Sequence, residues 1–282
     1  MSQKDRHNYE YDVDVEGPSA PARVVRMVGK NKKVLEIGAG PGSITKHLVQ
    51  AGGCAVTALE IDDDAIKKLS QYTSKIYPAD LNEISWPELL VEDSPFEVIV
   101  AGDVLEHLYD PWSTLNLMKN LLTKEGSIVI SLPHVGHNAI VACLLSEDFQ
   151  YRDWGLLDRT HIRFFGLKNM QQLFDDAGLK IIDAQFVITS PEDSEFSDKW
   201  SKLSDEVKGV LSGHRHGQVY QVVIKAVSKE QDGDAIDLMK VPVEGFIGRS
   251  ITDKGIGLIR RIARKYLSEK TRQRILGCLR KR

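Results

Sequence analysis

The stretch VLEIGAGPGS at 34–43 constrains this chain more than any other. An apolar run, KKVLEIG at 32–38, has the length and composition of a buried strand and ends on glycine. The segment SITKHLVQAG at 43–52 follows, with Ile44, His47, Leu48 and Ala51 on one helical face and Gly52 as its stop. Between strand and helix, Gly38, Gly40 and Gly42 let the backbone turn tightly and approach a ligand closely. The spacing is G-x-G-x-G. The dinucleotide fingerprint needs a further glycine at 43, where the chain has Ser43.

Strand and helix patterns then alternate. CAVTALEID at 54–62 is a second strand, and DDAIKKLSQY a helix capped by Asp62 or Asp63. KIYPAD at 75–80 is a weaker third strand and PFEVIVAGD at 95–103 a strong fourth. DPWSTLNLMKNLLTKEG at 110–126 predicts a helix with Asp110 as cap, Pro111 in its first position and Gly126 at its end. SIVISLP at 127–133 is the fifth strand. KNMQQLFDDAGLKIIDAQFVI at 168–188 reads as helix, Gly178 stop and strand, and QVYQVVIKAV at 218–227 as the last strand. Polar residues fill 189–217, with a helix in DKWSKLSDEVKGVL. The alternation predicts a doubly wound, mostly parallel α/β sheet that binds ligands at the carboxyl ends of its strands. Glu60 ends the second strand 18 residues after Gly42, where an acidic side chain typically holds ribose hydroxyls. Asp80, ending the third, is placed to accept from an adenine amino group. Two other readings compete: a bare βα turn with a solvated Glu60, and a nicotinamide dinucleotide site.

VLEIGAGPGSITKHL, VTALEIDDDAI, PAD, FEVIVAGDVLEHLYDPWSTL and LLTKEGSIVISLP resemble, in order, the motifs of class I S-adenosylmethionine-dependent methyltransferases. The resemblance runs from about residue 30 to 133. It implies a Rossmann-like seven-stranded sheet with helices on both faces. The strand at 218–227 would insert, antiparallel, between the fifth and sixth. S-adenosyl-L-methionine would be the cofactor and S-adenosyl-L-homocysteine the product. By family pattern Glu36, Gly38, Ala39, Gly40 and Gly42 hold the methionine part, and Glu60 with Ile61 the ribose. Asp80 and Leu81 would hold the adenine, and Asp103 and Val104 lie beside the cofactor. Glu36 stands where the family often has Asp, which keeps the carboxylate.

Methyl transfer to a hydroxyl needs alignment and a proton acceptor. His107, His134, His137 and His161 all fall where the carboxyl ends of the strands converge. For each, a hydrogen-bonded structural histidine competes with a general base. Residues 133–165 extend the resemblance to a subgroup of these enzymes associated with glycosyltransferases of surface-polysaccharide synthesis. The subgroup's LLDxTHxRFF is matched by Leu156–Phe165, while its Pro-Asn after the fifth strand is Pro133-His134 here. Asp158 can meet His161 across a turn and orient it. Arg159 and Arg163 suit an anionic group on the substrate, or an internal ion-pair network. Phe164 and Phe165 suit core or sugar platform, and core is the more frequent fate of such a pair. Tyr9 and Tyr11, in HNYEYD, would close over the cofactor as a lid or belong to a frayed arm.

The chain carries a net charge of −3 over 282 residues, but unevenly. Residues 258–282 hold ten Lys/Arg against one Glu, a local +9 that leaves −12 on the rest. Ile259, Ile262, Tyr266 and Leu267 follow helical spacing there, with basic residues on the other faces. Such a helix suits an anionic membrane surface, a protein partner or a second copy of the chain. No aromatic-interleaved face accompanies it, so nucleic acid is not the expected partner. No apolar run reaches a membrane span, the N-terminus is polar, and the three cysteines lack metal-ligand spacing. These features predict a cytoplasmic protein, peripheral on the inner membrane face if the basic helix binds there, with reduced cysteines and no metal. The expected organisation is an arm and lid helix at 1–30 and a methyltransferase domain at 31–228. That domain carries a substrate-side insert at 134–166 and a helical insert at 189–217. A linker at 229–257 and the basic helix at 258–282 follow. The expected reaction is O-methylation of a sugar hydroxyl on a glycan or its precursor. O-methylation of a small molecule such as a quinone precursor or natural product, and a non-catalytic cofactor-binding subunit, are the alternatives.

Overall fold

The computed structural model describes residues 10–244. Seven strands form one sheet: β1 (Lys33–Ile37), β2 (Ala55–Glu60), β3 (Lys75–Pro78), β4 (Phe96–Gly102), β5 (Leu122–Pro133), β6 (Leu179–Ile188) and β7 (Val219–Ser228). Their order is β3-β2-β1-β4-β5-β7-β6. The first five run parallel, and β7 lies antiparallel between β5 and β6, as the resemblance implies. The strand order reverses at β1 and β4, so the loops after their carboxyl ends flank the crevice where such sheets bind ligands.

One apolar cluster on the sheet joins Leu35, Ile37, Ile99, Ile128 and Ile130 to α4 (Pro111–Asn120) and α6 (Leu167–Asp176). The other joins Val34, Val56, Val98, Val100 and Val129 to α1 (Ala20–Val28) and α2 (Thr45–Gln50). In each strand the alternation of side chains sends neighbours to opposite clusters, which is why β1, β4 and β5 read as continuous apolar runs.

Helix α1 is a core element rather than the lid helix expected for 1–30. Ser19 caps it by accepting from the Ala22 N–H, Gly29 ends it in the left-handed region, and Val24 and Val28 are fully buried against the sheet. Helix α4 keeps its predicted start, where Asp110 accepts from the Ser113 N–H, but stops at Asn120 instead of Gly126. Leu122 pairs with Phe96, so ladder bonding takes over the residues that the helical pattern would claim. The polar insert folds as two short helices, α7 (Ser197–Ser201) and α8 (Asp205–Leu211), after α5 (Asn138–Leu145) has formed within 134–166. The described start of the expected linker, 229–244, docks on the core. The Ile236 N–H donates to the Ile181 carbonyl at 2.7 Å, and Leu238 is fully buried. Apolar residues at 236, 238, 239, 241 and 243 supply the surface that a linker lacks.

Among the described residues no helix is long and apolar enough to cross a membrane. Cys54 and Cys143 are buried free thiols. Tyr9, the end of the linker and the basic helix at 258–282 lie outside the described residues.

Candidate active site

The glycine loop is built as its residue types require. Gly38, Gly40 and Gly42 all have φ between 56° and 93°. A Cβ on Gly38 would sit 2.7 Å from Cγ2 of Val104, and one on Gly42 would strike Tyr72 at 2.7 Å. A Cβ on Gly40 would meet nothing within 4 Å. Two glycines therefore serve packing, and the middle one leaves the backbone open to a ligand. Buried Ala39 ties the loop to β2 through its N–H on the Leu59 carbonyl at 3.1 Å.

Glu36 and Glu60 are both buried at this loop. Thr45 donates its hydroxyl to Glu36 Oε2 at 2.6 Å. Burial pushes the Glu36 carboxyl up to about 7; Thr45 opposes this and the neighbouring Glu60 adds to it. A buried carboxylate that resists ionisation is a ready partner for a cationic ligand group. Glu60 accepts three backbone N–H groups, from Gly40 at 2.6 Å, Ile61 at 2.8 Å and Asp62 at 2.9 Å. It thus fixes the glycine loop and the start of α3 (Asp63–Leu69), and a carboxylate's four lone-pair directions leave capacity for a hydroxyl. Ile61 exposes its apolar side chain beside it, Leu81 is half-buried on the core, and exposed Asp80 turns its Oδ1 to the Asn82 amides.

Asp103 follows β4 with φ 54°, a costly conformation for a residue with a side chain. Its N–H donates to Ser131 Oγ at 3.0 Å and to the Ser131 carbonyl at 3.3 Å, Ser131 donates back to Oδ1 at 2.8 Å, and Gln221 donates to both oxygens. Burial raises its pKa, against the lowering effect of Ser131 and Gln221. Tyr11 reaches the same place. Its N–H donates to Ser43 Oγ, and its phenol is shifted upward by burial, then by the charges of Asp103 and Glu36. The residue is 44% exposed.

The segment after β4 meets the 155–165 stretch in a compact polar cluster. Thr160 donates its hydroxyl to Asp158 Oδ1 at 2.6 Å and sits 3.0 Å from His107 Nδ1. With the Thr160 proton spent on Asp158, His107 must donate from Nδ1, which leaves its Nε2 a lone pair. His161 has Nδ1 3.3 Å from the Leu156 carbonyl, which accepts only, so its Nε2 also carries a lone pair. Burial lowers the pKa of both imidazoles. The expected Asp158–His161 contact is not made through the carboxylate: Asp158 serves Thr160, whose N–H and hydroxyl are nearer along the turn. The carboxylate nearest His161 is Glu106, whose Oε1 lies 3.9 Å from Nε2.

His134 sits apart from this cluster. Its Nδ1 lies 3.1 Å from the Val219 carbonyl and its backbone pairs with Phe165. His137, buried, caps α5 by accepting from the Ala139 N–H. Arg159 pairs with Asp153, and Arg163 donates to the Tyr109 carbonyl under the Trp112 ring. Phe165 is core, and Phe164 is partly exposed against Phe149. Glu106, Thr160, Ser131 and Gln221 are site residues that sequence reasoning did not single out. Gln221 had no local signal, whereas Glu106, one residue before His107, had one in its own carboxylate.

A doubly wound sheet with an open glycine loop, a buried acid ending β1 and another ending β2 defines a class that binds adenosyl cofactors at its switch point. The chain belongs to the methyltransferase-domain family, whose model matches residues 13–184, and its cofactor is S-adenosylmethionine. It is 32% identical over 128 residues to a ubiquinone biosynthesis O-methyltransferase of Glaesserella parasuis, covering 42% of this chain and 52% of that one. It is 24% identical over 152 residues to a glycine/sarcosine/dimethylglycine N-methyltransferase of Actinopolyspora halophila, covering 51% of this chain and 25% of that one. The matches thus span about half or less of these relatives. Among solved structures it superposes on a Burkholderia thailandensis 1,6-didemethyltoxoflavin-N1-methyltransferase with bound S-adenosylhomocysteine. The TM-score is 0.50 at 17% identity, covering 77% of this chain and 79% of that one, a likeness of fold.

These residues could hold the cofactor: Gly40 leaves room for close approach, the buried Glu36 carboxyl suits a cationic group, and Glu60 has acceptor capacity left for a hydroxyl.

Proposed function

We propose that this chain O-methylates the hydroxyl of a small molecule. The observation that carries the reading is the pair of imidazoles, His107 and His161, each held at Nδ1 so that Nε2 offers a lone pair. A hydroxyl acceptor must lose a proton, and an Nε2 lone pair is the group that takes it. S-adenosylmethionine, when bound, supplies an electrophilic methyl: a C–O bond forms, the S–C bond breaks with its electron pair kept on sulfur, and the hydroxyl proton leaves. The chain's own work is positioning. Glu36 and the Gly38–Gly42 loop anchor one end of the cofactor, Glu60 the ribose, and Asp103 and Tyr11 border the transfer point. Such alignment contributes several of the about 7–11 kcal/mol available from positioning.

The names of the ubiquinone O-methyltransferase relatives support a small hydroxylated acceptor. A sugar hydroxyl on a glycan precursor is the narrower reading, favoured by exposed aromatic surfaces at Tyr109, Trp112 and Trp154. A labelled-methyl screen over phenols, nucleotide sugars and glycans separates the two. Calorimetric titration with S-adenosylhomocysteine tests the common core. Absence of binding below millimolar concentration would sink both, and binding without turnover on any acceptor would point to a non-catalytic subunit. For the basic segment 258–282 we keep the membrane reading: deleting 256–282 should abolish sedimentation with anionic liposomes.

A further inference from the structure

We propose that Glu106, His107 and His161 form a binding site for one first-row divalent transition-metal ion. Glu106 is fully buried, and among the described residues neither of its carboxylate oxygens has a hydrogen-bond partner. A buried carboxylate in that state carries a desolvation cost that a proton or a cation must remove. A proton removes the charge but leaves its own O–H needing an acceptor. The natural acceptor for a Glu106 O–H is His161 Nε2, and 3.9 Å is too long for that hydrogen bond. A metal ion spans such a gap.

The ligand geometry agrees. One atom each from Glu106, His107 and His161 lie within 4.8 Å of one another. Metal–ligand bonds of about 2.0–2.2 Å put neighbouring ligand atoms roughly 3.0–3.6 Å apart, so the triangle closes with side-chain shifts on the order of an ångström. The surrounding shell is that of metal-bound imidazoles. Each ring has its Nδ1 on a fixed oxygen, Thr160 Oγ1 for His107 and the Leu156 carbonyl for His161, which leaves Nε2 free to act as the ligand atom. Asp158 in turn fixes Thr160 through its hydroxyl. The two rings meet edge to face with centroids 4.8 Å apart. Backbone bonds from Ile162 and Arg163 to the Glu106 carbonyl, both 3.0 Å, lock the two segments together.

Two imidazoles and one carboxylate suit manganese, iron, cobalt or zinc rather than calcium. Three ligands leave open positions, and a hydroxyl bound there ionises far more readily than in water. With the ion bound, the ligating nitrogens no longer accept a proton, and activation of the acceptor oxygen would pass from the imidazoles to the ion, a role that rests on the methyl-transfer reading; ion binding does not.

The test uses the full chain, dialysed against chelator and titrated with Mn2+ while free Mn2+ is followed by electron paramagnetic resonance. The expected result is one ion per chain. Glu106→Gln and His161→Gln should each weaken binding by about 10–100-fold or more, with circular dichroism unchanged. Co2+ should give visible d–d bands that vanish in both variants. No binding up to millimolar Mn2+, Co2+ or Zn2+, or binding that His161→Gln and His107→Gln leave unchanged, would overturn the site. If Glu106→Gln does not fold, the two histidine variants decide. Titration with S-adenosylhomocysteine on the same sample keeps the readings apart: metal bound without it faults the methyltransferase reading alone, and the reverse faults the metal site alone.

Discussion

Gln221 donates its side-chain amide to both oxygens of Asp103, at 3.0 Å each, across 118 residues of chain. The bond ties β7, the antiparallel strand, to the end of β4. Replacing Gln221 by Leu leaves a half-buried carboxylate short of donors, a loss of about 1 kcal/mol. Denaturant unfolding should show that drop, and S-adenosylhomocysteine affinity should fall with it. A stability change below about 0.5 kcal/mol would mean that Asp103 does not depend on this contact.

Glu36 ionises near 4.5 when unfolded and near 7 when folded without ligand. Between those values the folded chain holds a proton that the unfolded chain has lost, so stability falls as pH rises from about 4.5 to about 7 and stays low above. Glu36→Gln should therefore raise the melting temperature relative to wild type at about pH 8 and not at about pH 4. The same substitution should weaken S-adenosylhomocysteine binding at either pH. In the wild type that binding should weaken as pH drops below about 7, because ligand capture then requires releasing the proton.

Gly38 and Gly40 differ in what a methyl group would meet. Gly38→Ala drives a Cβ into Val104 and should lower stability by the about 1–2 kcal/mol of the left-handed backbone plus the clash. Gly40→Ala should incur only the backbone part yet block the ligand's approach. Thermal melts and calorimetry on the pair should give a stability defect larger at 38, with a cofactor-binding defect at 40 in a folded protein.

Burial lowers the His134 pKa from 6.5 to about 4, with the Val219 carbonyl opposing. The unfolded chain therefore binds the extra proton first, and stability falls as pH drops from about 6.5 to about 4. His134→Gln should flatten that part of the pH–stability curve and leave turnover per folded molecule within about threefold. A hundredfold loss of turnover would return His134 to the chemistry.

Much of this was legible in local pattern. The apolar runs of β1, β2 and β4, the glycines after β1, the cap at Asp110 and the acids at 36 and 60 each act through neighbours close in sequence. The end of α4 was not, because Leu122 chose a strand partner 26 residues earlier, Phe96. Nor was the docking of 229–244, which depends on apolar residues finding a surface assembled elsewhere.

The sequence by itself determined the order of strands and helices, the glycine loop and the carboxylates around it, since these follow from side-chain period and backbone freedom. It also placed His107 and His161 at the right end of the sheet. Only tertiary structure decided their partners: that Asp158 serves Thr160, that His134 faces Val219, and that Glu106 is buried between two imidazoles 54 residues apart in the chain. A carboxylate's environment is set by what folding brings around it, and no local pattern carries that information.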